Sequence, residues 1–447
     1  MAAGAEPTGR RPLPCLRQIW HPAPPPPRHK NKKPSRTCMS RNASLPFILT
    51  TVFIDVLGIG LMIPVLPALI GTLTDSPAAQ SWWYGALMVT YGLVQFLCVP
   101  LLGALSDRFG RRPILLLSIF GLGVSYIITA FTYSLPMLLF TRVLIGATGA
   151  SFTVATAYVA DITTPENRGR GFGLVGAAFG IGFIFGPVVG GLLGEHDLRL
   201  PFFVAAGLSL LNWLYGFFVL PESLPPEKRA PLSWQRANPV GSLSHAAKLS
   251  GGAGLIVLVY AISMLSQWVL QTGWVLYTSF RFHWGPKENG MALFVVGLTA
   301  AMVQGVLLGR LIKRFGEKRM ALTGMTSAAI IFVCYGLTTV PWLLYVLILC
   351  NSLSFATSPS LQSLISQAAD VREQGLTQGA INGINSLMTL LAPLISTPLL
   401  ALAAHLPADD WRIGSLFFAC SVLQIVALTL ATVHFRRLRS QRLASNA

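Results

Sequence analysis

From Gly103 to Leu116 the chain reads GALSDRFGRRPILL, a short charged turn set between two long apolar stretches. From Gly309 to Leu322 it reads GRLIKRFGEKRMAL, so that Gly103 is answered by Gly309 and Gly110 by Gly316, each 206 residues on. The same offset of 206 carries Pro187 onto Pro393. Separate markers that agree on one spacing imply that the chain contains its own architecture twice.

The apolar stretches around these turns set the fold class. Of 447 residues, 53% are hydrophobic and 11% charged, which is too apolar for a water-soluble globule. Twelve windows of apolar residues begin near Pro46, Trp82, Pro113, Pro136, Gly171, Leu200, Ala253, Asn289, Lys318, Trp342, Leu376 and Trp411. Each is long enough to cross about 30 Å of hydrocarbon. Only helices and closed barrels satisfy their backbone inside a bilayer, and the alternating pattern of a barrel strand is missing. The expected fold is therefore an all-α membrane protein with twelve transmembrane helices in two six-helix bundles. The bundles are expected at 45–219 and 253–434, with a linker at 220–252 that is rich in Pro, Gly and charge. A basic, proline-rich tail (1–44, including HPAPPPPRHKNKKPSR) and a short tail (435–447) complete the chain. The first tail lacks an apolar core, so it reads as disordered and not as a signal peptide. Met39 opens MSRNASLPFILT, where translation is expected to start.

The net charge of +17 has a topological meaning. Of the 33 Lys and Arg, Arg142 falls within a span and Arg199, Arg281, Lys287 and Arg412 fall in alternate loops; the rest occupy the tails and the other loops. The positive-inside rule then puts both termini in the cytoplasm of a cell inner membrane. It also removes the reason to invoke nucleic acid. The 6 cysteines (Cys15, Cys38, Cys98, Cys334, Cys350 and Cys420) show no ligand or disulfide spacing, so no metal and no cofactor is expected. The sequon at Asn42 is cytoplasmic on this topology. The linked halves imply a carrier that rocks about a central site.

Three motifs in order, GALSDRFGRRP, RVLIGATGA from Arg142 and GFGLVGAAFGIGFIFGPVVGG from Gly171, are similar to those of the major facilitator superfamily. Together with FIDVLGIGLMIPVLP from Phe53, they resemble its drug:proton antiporters of the tetracycline-resistance group. The resemblance implies export of a small amphipathic compound in exchange for protons. In the fifth span, Gly173, Gly182, Gly186, Pro187, Gly190 and Gly191 read on their own as a smooth helix fit for close packing. The resemblance makes them the antiporter signature, a helix pair that seals one side of the pathway. Around the repeated turn, Gly103, Asp107, Arg108, Gly110, Arg111 and Arg112 lie close in depth to Asp161, so these charges are expected to latch one conformation. Simple orientation of the chain by its arginines is the competing reading.

Of the 16 Asp and Glu residues, only Asp55 lies deep in a span. Counted from Pro46, it sits roughly 14 Å from the inner face. Arg142 enters from the opposite side to a depth of roughly 9 Å, which makes it the expected partner. Burial favours the neutral acid and a guanidinium favours the anion, the balance a proton coupler requires. A permanent ion pair that merely fixes packing is the alternative. Expected cavity residues are Tyr91, Gln95, Gln267, Gln271, Gln304, Asn382 and Asn385, whose rings and amides suit an amphipathic ligand. The tetracycline group has further ionisable residues where Ser125, Ala300 and Ala328 stand here, which places tetracycline itself in question as the substrate. No nucleotide-binding P-loop and no spaced catalytic cluster is present, so neither an ATP-driven pump nor an enzyme is expected. A metabolite exporter, a channel or a non-transporting receptor on the same fold remain open alternatives, and a monomer working in a lipid bilayer is expected.

Overall fold

A computed structural model describes residues 37–164, 166–230, 253–368 and 374–445, and residues 41–447 form one compact unit. Residues 1–36 of the expected tail and most of the expected linker lie outside the described residues; residues 37–44, expected in the disordered tail, are helical.

Twelve helices are long and apolar enough to cross a membrane. In the first half these are α1 (Leu45–Met62), α2 (Pro77–Phe109), α3 (Arg111–Phe131), α4 (Leu135–Ile162), α5 (Arg168–His196) and α6 (Leu200–Val219). In the second they are α7 (Gly254–Phe282), α8 (Pro286–Phe315), α9 (Glu317–Leu337), α10 (Pro341–Ala368), α11 (Thr377–Ala403) and α12 (Trp411–Arg437). No strand occurs among the described residues. Prolines sit at the first turns of α2, α4, α6, α8 and α10, where a missing N–H costs nothing.

Within each half the helices pack chiefly on one another, α3 with α6 and α2 with α4, then α7 with α11 and α12 and α9 with α12. The duplication is visible at two levels. Gly110 and Gly316, 206 residues apart, are the glycines with left-handed φ among the described residues, at 108° and 81°. They open α3 and α9 with a backbone that only glycine adopts freely. The first and last helices of each half are also tied by a buried side-chain hydrogen bond. Thr51 bonds Asn212 at 3.3 Å and Ser263 bonds Gln424 at 3.2 Å, each over 161 residues.

The halves meet along α5 with α8 and α2 with α11. Hydrophobic packing divides unevenly along these seams. Toward one end a single cluster runs through both halves, from Leu61 and Tyr126 to Trp274 and Phe417. Toward the end that carries Arg108, Arg112, Lys313 and Arg314 there are two separate clusters, one around Phe47 and Tyr158 and one around Tyr260 and Leu361. The molecule is thus joined at one end and parted at the basic end.

Candidate transport pathway

Between the parted halves lies a cavity of about 690 Å³. The first half contributes Val99, Phe152, Thr153, Thr156 and Phe179 to its wall. The second contributes the amides Gln267, Gln271, Gln304, Asn382 and Asn385 together with Trp268 and Phe355. All five amides were expected there from sequence. Tyr91 and Gln95 were expected as well but are absent from the wall. They lie on α2 where Gly146 of α4 packs against their backbone.

Three wall-forming helices are irregular beside the cavity. α4 breaks at Gly149 and Ala150, just before Phe152. α8 holds a π-helical turn at Val303–Leu307 that includes Gln304, and α10 contains a 3₁₀ turn at Asn351–Ala356 that includes Phe355. Such backbone is tolerated at membrane depth where it lines a cavity or is buried in protein. No proline marks any of the three, so the sequence offered no signal for them. Asn385 also donates at 2.8 Å to the Tyr260 hydroxyl, which accepts from Gln362 at 3.1 Å. This fixes one face of α11 against α7 and α10.

Asp55 is 5% exposed, and neither of its carboxylate oxygens has a hydrogen-bond partner; Ser151, next to the wall residue Phe152, is the polar group beside it. Arg142 is 1% exposed but does not pair with Asp55. Its Nη1 points to Met62 Sδ at 2.9 Å, while Nε and Nη2 are unpartnered. The expected ion pair is therefore not formed in this conformation. The cause is axial. Met62 lies about two turns beyond Asp55 on α1, and Arg142 is level with the former. Ser125 donates its buried hydroxyl to the Gly121 carbonyl, and neither it nor Ala300 nor Ala328 reaches the cavity wall.

At the basic end the repeated turn is a charge cluster. Arg111 Nη1 meets Asp107 at 2.6 Å, and Nε meets Asp161 at 3.1 Å. Ser106 and Ser223 complete it, the first accepting from Arg111 and the second donating to Asp161. Arg112 reaches the Phe217 carbonyl at 2.6 Å, whereas Arg108 lies over the Phe109 ring. Sequence reasoning missed Glu222, which falls in the segment read as linker. Its carboxylate accepts the backbone N–H groups of Arg111 at 2.8 Å and Arg112 at 3.2 Å and so caps α3. A carboxylate at a helix N-terminus is favoured by the free N–H groups and the helix dipole. The segment from Pro221 onward is thereby docked on the first half, since Tyr158 also donates to the Pro221 carbonyl. In the second half, at the same offset of 206, Glu317 stands for Arg111 and Gln367 for Asp161. Gln367 donates to Glu317 at 2.6 Å, so the contact is kept with its charge pattern changed.

The glycines of α5 divide by position. A Cβ on Gly182, Gly186 or Gly190 would strike the backbone of α1, at Phe53, Gly60 and Leu61. One on Gly191 would strike Pro286 of α8, and one on Gly290 of α8 would strike the Pro187 carbonyl. A Cβ on Gly173, Gly176 or Gly180, by contrast, would meet no other part of the described protein within 4 Å, as is true of Gly103, Gly305 and Gly309. The seam is closed at the joined end and open at the basic end.

Duplicate six-helix bundles about a membrane-depth cavity are an architecture found among secondary transporters. The Major Facilitator Superfamily profile matches residues 48–393 and again 256–445. The chain belongs to the major facilitator superfamily. Among superfamily relatives it is 40% identical over 384 residues to the class C tetracycline resistance protein of Escherichia coli, covering 86% of this chain and 96% of that one. It is 30% identical over 394 residues to multidrug resistance protein 2 of Bacillus subtilis, covering 86% and 94%. The human organic anion transporter MFSD10 superposes with a TM-score of 0.64 at 25% identity, covering 88% of this chain and 99% of that one. A bacterial homologue of the lysosomal transporter Spinster superposes with a TM-score of 0.71 at 15% identity, covering 89% and 97%, a likeness of fold. The protein is thus a multi-pass membrane transporter similar to drug exporters.

Proposed function

We propose that this chain exports a small amphipathic, drug-like compound across the cell inner membrane in exchange for protons, by alternating access, with both termini in the cytoplasm. The observation that carries this reading is Asp55, a carboxyl group buried without a hydrogen-bond partner next to Ser151, which adjoins Phe152 of the cavity wall. Burying an ionised group there without a counter-charge is costly. Proton binding and release at Asp55 is therefore tied to which end of the bundle is open. The tie is mechanical as well as electrostatic, because α1 carries Asp55 one turn from the Gly60–Gly186 contact with α5. On the positive-inside rule the parted basic end faces the cytoplasm, where an exporter loads.

The test uses everted membrane vesicles from cells that overproduce the full chain. A proton gradient should drive saturable uptake of one or more compounds from a panel of antibiotics and dyes, and an uncoupler should abolish it. Asp55→Asn should insert normally and reduce gradient-driven uptake to the level of control vesicles. Wild-type uptake by the Asn variant would remove the acid from the mechanism.

A further inference from the structure

We propose that the molecule carried in this cavity has no net charge and is an uncharged, ring-bearing amide or a close chemical equivalent, neither an organic cation, an organic anion nor a charged metal chelate. The inference rests on the exporter reading above and narrows it to a substrate class.

The wall has no Asp, Glu, Lys, Arg or His among the described residues. Its polar surface is neutral: the amides of Gln267 and Gln271 on α7, Gln304 on α8, and Asn382 and Asn385 on α11, together with the hydroxyls of Thr153, Thr156, Ser354, Thr357, Ser358 and Ser386. An amide offers both donors and an acceptor, so such a wall satisfies neutral carbonyl, amide and hydroxyl groups in a ligand. Trp268 supplies a broad flat surface for a ring. The irregular turns of α4, α8 and α10 present further neutral dipoles to the same space.

The embedded charges are withheld from the wall. Arg142 is turned to Met62 and is 1% exposed, and Asp55 is 5% exposed beside Ser151. An ion of either sign entering the cavity would lose hydration and meet no counter-ion, a penalty that a neutral ligand avoids. The rim adds a bias of its own, because Arg108, Arg168, Arg170, Arg310 and Arg314 are exposed at the open end and disfavour approaching cations. One electrical consequence follows. Exchange of protons for a neutral molecule moves net charge in every turnover, whatever the stoichiometry.

The experiment uses purified full-length protein, for equilibrium binding and in proteoliposomes. The probes are chloramphenicol and florfenicol as neutral aromatic amides, ethidium as a permanent cation, fluorescein as an anion and the magnesium chelate of tetracycline. The neutral probes should bind and be moved by a proton gradient, and also by a potassium diffusion potential at equal pH on both sides. Ethidium, fluorescein and the chelate should stay at the level of protein-free liposomes. Gln271→Glu, which places one carboxylate in the wall at unchanged size, should tighten ethidium binding by at least about tenfold and weaken the neutral probes. Gln271→Ala should not gain ethidium. Transport of ethidium, fluorescein or the chelate by the wild type, with no movement of the neutral amides, overturns this inference and leaves proton-driven export intact. Failure to bind or move any of the probes overturns the inference and export together.

Discussion

At Gly110 the backbone turns into α3 with φ of 108°, and at Gly316, its counterpart, into α9 with φ of 81°. Both conformations are strained for a residue with a Cβ, by about 1–3 kcal/mol. The two sites differ in their surroundings. A Cβ at Gly110 would run into the carboxylate of Glu222, whereas nothing lies within 4 Å of one at Gly316. Gly316→Ala should therefore cost the conformational strain alone. Gly110→Ala should cost more, because it also displaces the cap of α3. Thermal unfolding of the detergent-solubilised protein measures both, and equal losses would show that Glu222 contributes nothing beyond geometry. Gly110 was legible in the sequence because the turn is written twice, whereas Asp107 and Arg111, which become Lys313 and Glu317 in the second copy, were legible through the motif's resemblance. Glu222 was not, since it lies over one hundred residues from the N–H groups it caps and inside a stretch whose composition resembles a linker. The same limit applies to Arg142. Counting residues left an axial gap of several Å to Asp55 that an arginine was expected to bridge, but the guanidinium sits about two turns beyond the carboxylate, level with the thioether of Met62.

At the scale of the element, α5 is a single glycine-rich helix in sequence and two different surfaces in space. From Gly182 onward its glycines touch α1 and α8, and from Gly173 to Gly180 they face open space. Periodicity and composition cannot make this division, because it depends on which end of the bundle is parted. Gly190→Val should disrupt the packed region, since the added carbons would meet the Leu61 backbone, and the yield of folded protein should fall. Gly180→Val meets nothing in this conformation and should fold with normal stability and ligand binding. If the basic end closes during the cycle, the added side chain will obstruct the approach of a facing helix and turnover will drop while binding persists. A Gly180→Val protein that transports at the wild-type rate would mean that this part of α5 never closes on a neighbour. The helix breaks in α4, α8 and α10 teach the same lesson from the other direction. They were invisible to hydropathy because each helix remains apolar throughout, yet they shape the cavity as much as the amides that the sequence did reveal.

For the molecule as a whole, the six-plus-six plan was readable because duplication, apolar windows and charge asymmetry are all properties of the linear chain. The direction in which the cavity opens was not, since both orientations share the same helices. Two kinds of contact hold the joined end. One is tight backbone packing, of Gly191 on Pro286 and Gly92 on Leu390. The other is the ion pair of Lys287 with Glu195 at 3.0 Å, which links α8 to the end of α5. Both partners of that pair are about half exposed, so it contributes at most about 1 kcal/mol and is easily broken. A rocking carrier requires such a contact, because a strong one would hold the bundle in a single state. Replacing Glu195 and Lys287 with cysteines in a background free of the 6 native ones allows this to be tested. A short bifunctional thiol reagent should then fix the joined end, halt transport and leave the cavity accessible to a polar thiol label at a cysteine placed at Gln271. A reductively cleavable version of the reagent should restore transport on cleavage. Full transport by the cross-linked protein would mean that this end never opens, and a carrier of two rocking bundles would no longer describe the molecule.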